Sequence, residues 1–545
     1  MNRVWRQVRA WAAVPCPLEW GCLLVGAILV VRYYWVMDDA FVYFRYVDNL
    51  LFLRLGLVYN PGEYVEGYSS PAWVLLLAVL RFIEMRYGTI LVGIGLATLF
   101  AIWCMLVMLR REQTPRGPVM NLPMVLLLPN YAFLCYLTSG VDTPLVLLAG
   151  VASALFIVRP GSIPLQLLIT LLPLIRHELV IPYGLCVLWL WYLGRRFPWH
   201  LALTGAAALT AWLAFRVYYY ADFFPNTYYL KNDFHPDWGI RYLHDTLVAY
   251  HAYEILALAA AAALVLRLRR IPMQWMQRGM MLLLALPVLL YVIKIGGDAR
   301  HFRYLAFPYC LLVCAFGAVP EHLWSALRWR RPGLLLPAAG VLLGLVTFAS
   351  HPRQLDRHPL RGGTTHQSID GINDAEVHRR VILPRFPDWE DKVTPDSLRE
   401  FRASNRFDAP WPVFPNEICL ENYVYFDRYI VHTYGLTDAI LARADVPARR
   451  PGHKEDLKKM GDSLARLERT ILPAGTHALT QTVPRRTLPS WIIENLPVIR
   501  AIENKIYNRH DFSENLRLAL RPTGRLTIRP GTLQRGTRDL FKRGS

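Results

Sequence analysis

No Walker phosphate loop, Gly-x-Ser-x-Gly elbow, His-Glu-x-x-His pair or Cys-x-x-Cys pair occurs in the 545 residues. These absences weigh against an ATPase, a serine hydrolase and a zinc enzyme built on those signatures. Cysteine is scarce: of eight, only Cys419 follows residue 350, so the C-terminal part cannot close an internal disulfide. The other cysteines sit mostly in apolar runs, where packing is the expected role. Charged residues make up only 19% of the chain against 54% hydrophobic ones, far too apolar for a soluble enzyme of this length. A polytopic membrane protein is expected. No internal repeat or low-complexity tract stands out, and the first apolar run lacks a small-residue cleavage site, so it is expected to stay as a span.

Acidic residues are also in deficit, 41 against 60 basic ones, for a net charge of +19. The basic residues fall in short clusters between apolar runs: Arg3/Arg6/Arg9, Arg110/Arg111/Arg116, Arg195/Arg196, Arg267/Arg269/Arg270 and Arg328/Arg330/Arg331. This is the positive-inside pattern of cytoplasmic loops rather than a nucleic-acid surface. Apolar runs lie near 20–37, 71–83, 90–109, 122–137, 142–158, 162–175, 179–193, 200–219, 252–267, 280–295, 304–319 and 333–350. With the basic clusters inside, the loop after Asp38, the loop around Asn226, the Gly296-Gly297-Asp298 turn and everything past residue 350 fall outside. Parity then requires about eleven crossings, with 71–83 a re-entrant or interfacial piece. Residues 1–350 are expected to form the membrane domain. Residues 351–545 mix charge, proline and aromatics and are expected to form an extracytoplasmic domain, mixed α/β or β-rich. Within it, 462–472 reads as helix and Leu516–Ile528 as two strands about a Pro-Thr-Gly turn.

Two adjacent acids, Asp38 and Asp39, close the first apolar run, and acids at a membrane edge are functional by default. Behind them Phe44, Val47, Leu51 and Leu55 share one helical face while Arg45, Asp48 and Asn49 share another, the pattern of a helix lying in the membrane interface. Glu66 and Tyr68 follow closely and suit sugar hydroxyls and faces. Polar insertions recur at Thr138–Thr143 with Asp142, at Arg176-His177-Glu178, at Phe224–Lys231 with Asn226, and at Gly296–Arg303 with Asp298, Arg300, His301 and Arg303. Guanidinium forks match phosphate oxygens, so Arg176, Lys231, Arg300, His301 and Arg303 are candidates for a carrier phosphate. Glu66, Tyr68, Asp142, Glu178, Asn226 and Asp298 are candidates for the sugar. No cofactor motif is present. The aspartate pair could hold a divalent cation, but no ligand spacing fixes one.

The segments Asp38–Phe41, Phe44–Tyr46, Gly56–Glu63 and Val65–Ser69 resemble the first extracytoplasmic loop of the GT-C glycosyltransferases, above all the terminal arabinofuranosyltransferases of mycobacteria and their bacterial relatives. Phe224–Lys231, Gly296–Arg303, Asp370–Ile372 and Tyr434–Arg443 resemble the same family. Where that family tends to show Ser-Gly-x-Glu-Thr this chain has Asp142, and where it shows Arg-Pro-Glu-Gly this chain has Arg176-His177-Glu178-Leu179. The resemblance implies a multi-pass enzyme of a bacterial inner membrane, a polyprenyl-phosphate sugar donor, an extracytoplasmic active site and a catalytic first-loop aspartate. Asp38 is then the expected base, with Asp39 in support, and D-arabinofuranose passes to a glycan of the cell envelope. A protein acceptor such as a pilin, and a non-enzymatic flippase of lipid-linked sugar, remain as alternatives.

Overall fold

The computed structural model describes residues 15–83, 86–113, 121–298, 300, 302–326, 383–404, 412–416, 418–446, 448–450, 453–454, 457–471, 479–508 and 510–528. Asp370–Ile372, His301, the apolar run 333–350 and the Arg328–Arg331 cluster lie outside them. The chain is mostly helical and divides into two compact units: Met1–Val36, Leu91–Ala206 and His235–Arg380 form one, and Met37–Ile90, Ala207–Phe234 and Val381–Ser545 form the other. The expected division at residue 350 follows the chain. The compact units do not, because the first loop and the residues after 381 share one unit.

The apolar runs within the described residues form helices as their composition requires. Among the described residues Tyr87–Glu112, Trp199–Tyr220, Trp275–Ile295 and Arg303–Leu323 are long and apolar enough to cross a bilayer, and the bent pair Pro236–Val248 and Ala252–Leu268 would add a fifth. The run at 122–137 breaks into Leu122–Leu127 and Tyr131–Tyr136, because Asn130 turns its side-chain oxygen onto the amides of Ala132 and Phe133. The run at 71–83 is the helix Pro71–Ile83, about 20 Å long at 1.5 Å per residue. That is short of the roughly 30 Å hydrocarbon core.

In the first unit helices approach closely through small residues, as membrane helices do. A Cβ on Gly150 would lie 2.8 Å from Cys310 Cβ, and one on Gly239 only 2.2 Å from the carbonyl of Ile293. Gly296 and Gly297 end the helix Trp275–Ile295 with φ of +85° and +80°, and a Cβ on Gly297 would strike the ring of Tyr242. Asp298 follows directly. A buried acid inside the helix Pro17–Arg32, Glu19, accepts from Arg110 Nε at 2.8 Å and Asn121 Nδ2 at 3.0 Å.

The second unit holds a small parallel crossover. Val413–Asn416 pairs in parallel with Tyr429–His432, Val413 opposite Tyr429 and Asn416 opposite His432, and the helix Cys419–Val424 connects them. Asn60 extends the pairing like a backbone rung: its side chain accepts from Ile430 N at 3.0 Å and donates to Ile430 O at 2.9 Å. The core beneath is built by Leu441, Leu457, Met460, Leu464, Trp491, Ile492, Ile499 and Ile502. The expected helix near 462–472 is Leu457–Ile471. The expected hairpin at Leu516–Ile528 is instead the helix Phe512–Leu520 followed by a two-residue strand, Leu526–Thr527. Asp511 starts that helix by accepting from Glu514 N at 2.7 Å, and Asn515 and Ala519, one turn apart, form its buried face.

Candidate active site

Asp38 and Asp39 are half-buried in the turn that opens the helix Ala40–Asp48. Asp38 Oδ2 accepts from Cys419 N and Oδ1 from Leu420 N, both at 3.1 Å. These are first-turn amides of Cys419–Val424, which lack intrahelical acceptors. Asp39 stands at the N-cap of its own helix without capping it through the side chain. Where an interfacial helix is expected, the helix Ala40–Asp48 is enclosed instead: all nine of its residues are buried. Its polar stripe faces protein, not headgroups. Asp48 accepts from Tyr423 Oη at 2.6 Å, Tyr87 Oη at 3.1 Å and Arg81 Nε at 3.0 Å. Cys419 Sγ lies 3.3 Å from His432 Nε2.

In the same unit Glu66 meets Arg216 in a fork, Oε2 to Nε at 2.5 Å and Oε1 to Nη2 at 3.0 Å, and is 2% exposed. Tyr68 is buried with its hydroxyl 3.0 Å from that of Tyr220. Asn226 donates to the carbonyls of Gly435, Leu436 and Asp438 and takes its own backbone bond to Glu66 O at 2.8 Å. Lys231 ends the short helix Asn226–Lys231, half-buried. The Glu-Gly-Tyr motif and the Tyr434–Arg443 motif are therefore neighbours. Gly67 marks their approach: a Cβ there would stand 2.7 Å from Thr437 Cγ2 and 2.9 Å from Tyr46 Oη. Gly67→Ala is expected to destabilise the protein by about 1–3 kcal/mol through overpacking, measured as a lower melting temperature in detergent. An unchanged melting temperature would show that the contact yields freely.

Asp438 caps the next helix, its Oδ1 accepting from Ile440 N and Leu441 N at 2.9 and 2.8 Å. Burial pushes its carboxyl up to about 7, although those N–H groups pull it down. A folded value above the unfolded one near about 3.9 means the fold binds the extra proton. The stability this contributes is complete below about pH 4 and is lost as pH rises through about 7. Melting temperature is therefore expected to fall between pH 5 and 8, and Asp438→Asn, which keeps the capping oxygen, to flatten the slope. An equal slope in the variant would assign the dependence elsewhere.

The first unit gathers five of the candidates. Asp142, 0% exposed, takes a fork from Arg176, Oδ2 to Nε at 2.6 Å and Oδ1 to Nη2 at 3.2 Å. Arg176 Nη1 reaches Glu178 Oε1 at 3.2 Å. Arg303 stands 4.0 Å from Asp142 and 3.6 Å from Asp298, and both guanidinium groups lie over the ring of Tyr304. Arg300 is half-buried nearby in sequence, its carbonyl accepting from Tyr242 Oη at 2.9 Å. Among the described residues no group of three or more His, Cys, Asp or Glu side chains is placed to hold a metal ion.

Sequence reasoning missed Arg216 as the partner of Glu66, and it missed the buried Asp222, which accepts from both Arg443 at 2.9 Å and Lys505 at 3.3 Å. A lone arginine inside an apolar run is the signal that could have found Arg216 and Arg81, since such a charge requires a partner.

Over 333 residues the chain is 25% identical to the terminal beta-(1->2)-arabinofuranosyltransferase of Mycobacterium tuberculosis, covering 52% of each chain. Over 338 residues it is 26% identical to the protein of the same name from Corynebacterium glutamicum, covering 53% of this chain and 48% of that one. The chain thus spans about half the length of the curated relatives it matches. No family model and no solved structure matches it.

Proposed function

We propose that the chain is a GT-C type membrane glycosyltransferase that moves D-arabinofuranose from a polyprenyl-phosphate donor to a glycan of the cell envelope. The observation that carries this reading is the half-buried Asp38-Asp39 pair after the first apolar helix, with Asp38 fixed by two backbone amides. The similarity to two arabinofuranosyltransferases supports it. In the reaction an acceptor hydroxyl oxygen bonds to the anomeric carbon and the bond from that carbon to the phosphate oxygen breaks. Asp38 takes the hydroxyl proton, as an ionised carboxylate within reach can, and Asp39 supports it. Arg176, Lys231, Arg300, His301 and Arg303 are the cations assigned to the phosphate as it leaves with its electron pair. Glu66, Tyr68, Asp142, Glu178, Asn226 and Asp298 shape the surroundings of the sugar, directly or by holding neighbours. The active site and the residues after 351 face outward from a bacterial inner membrane.

Bacterial membranes with and without the protein, supplied with label on prenyl-phosphoryl arabinose or on a nucleotide sugar, test the reading. Label is expected in glycan, from the lipid donor alone, and only where the protein is present. Label on protein instead would move the acceptor to a pilin-like substrate, and donor crossing the bilayer without transfer would make the chain a flippase.

A further inference from the structure

Arg45 is buried, 2% exposed, and among the described residues no carboxylate bonds to it. Its guanidinium donates instead to four carbonyls: Nε to Tyr59 O at 2.9 Å, Nη1 to Asn422 O at 2.6 Å and Tyr425 O at 3.3 Å, and Nη2 to Arg428 O at 2.7 Å. Three of these belong to the end of the helix Cys419–Val424 and the turn after it, where carbonyls have no intrahelical donor. Asp38 holds the amides at the other end of the same helix. Asp38 and Arg45 are seven residues apart, two helical turns and about 10.5 Å along the axis, while a six-residue helix is about 9 Å long. The two side chains thus grip both ends of one helix running parallel to their own. A buried arginine with this partner set is not a headgroup anchor, and among the described residues no ion pair holds it.

We infer that Arg45 is a positioning residue for Asp38, acting through the helix Cys419–Val424, which brings the chain after residue 381 into the catalytic centre. This rests on Asp38 being the proton acceptor. Without the four-carbonyl grip the helix can slide along the Ala40–Asp48 helix. The Cys419 and Leu420 amides then lose register with the carboxylate, and Asp38 turns away from its reactive orientation. The Cys419 thiol, 2% exposed and beside His432, is a built-in reporter of that slide.

The test uses the full chain in native membranes. Maleimide labelling of Cys419, read on its peptide by mass spectrometry, is expected to be slow in the wild type and at least tenfold faster in Arg45→Gln, with Arg45→Lys between them. The transfer kcat is expected to fall about 10²-fold in Arg45→Gln, the scale of a small misplacement at the reacting centre, with KM for donor and acceptor unchanged. Adding Arg45→Gln to Asp38→Asn is expected to cost nothing further, because a residue acting only through Asp38 has no effect once the carboxylate is gone. A reactive Cys419 in the wild type, a kcat within threefold of wild type despite an exposed Cys419, or equal losses with and without the carboxylate would each overturn the proposal. Full activity in Asp38→Asn would instead defeat the assignment of the base, and the labelling result would still judge the grip on its own. If Arg45→Gln does not accumulate, Arg45→Lys and the wild-type labelling decide.

Discussion

Asp38→Asn is expected to lower sugar transfer by about 10²–10⁴-fold, the contribution of a positioned general base, while expression and donor binding stay near wild type. The substitution keeps the volume and removes the charge. It also places an NH2 group against one of the two amides, Cys419 N or Leu420 N, that the carboxylate accepts, so one bond to the helix is lost. Asp38→Glu separates the two effects, since it restores the charge while moving it by one methylene. Its activity is expected to exceed that of the Asn variant. Initial rates of labelled sugar transfer, normalised to protein in the membrane, check this. Activity above about a tenth of wild type in Asp38→Asn would remove Asp38 from the base's role.

Glu66→Ala is expected to destabilise the protein by about 3–5 kcal/mol, because it leaves Arg216 buried without its partner. The pair is a two-bond fork between residues 150 positions apart, and Asn226 is tied to the same turn through the carbonyl of Glu66. Most of the loss is the cost of an unpaired buried charge rather than the strength of the pair. An apolar double replacement, Glu66→Leu with Arg216→Met, is therefore expected to recover much of it. Thermal unfolding in detergent, with the protein surviving in the membrane as a second reading, measures both. A stable Glu66→Ala whose only defect is a raised acceptor KM would show that Glu66 serves substrate and not the fold.

The helices of the apolar runs could be read from composition, because hydrophobic length leaves the chain little choice in a bilayer. That Asp38, Arg176 and Arg303 would be bonded within the protein was also legible, since charge amid apolar sequence demands a partner. The partners themselves were not. Tyr423 reaches Asp48 from 375 residues away and Cys419 reaches Asp38 from 381, and no local pattern encodes such a pairing. The same gap explains the helix Ala40–Asp48. An amphipathic stripe signals a polar neighbour but does not distinguish water and headgroups from a second helix with open ends. At Leu516–Leu520 alternate leucines fit a strand. The deciding residues were the capping Asp511 and the Asn515 and Ala519 pair one turn apart. Over so short a run the two periods overlap.

The most direct measurement uses the purified chain in liposomes with prenyl-phosphoryl arabinofuranose and a synthetic arabinan oligosaccharide, followed by mass spectrometry of both substrates. The expected result is an acceptor heavier by one pentose and an equal amount of released prenyl phosphate with wild-type protein, and no more than about a hundredth of either in the same time with Asp38→Asn. An acceptor that gains no pentose, with the donor recovered whole on either side of the bilayer, would contradict the proposed activity.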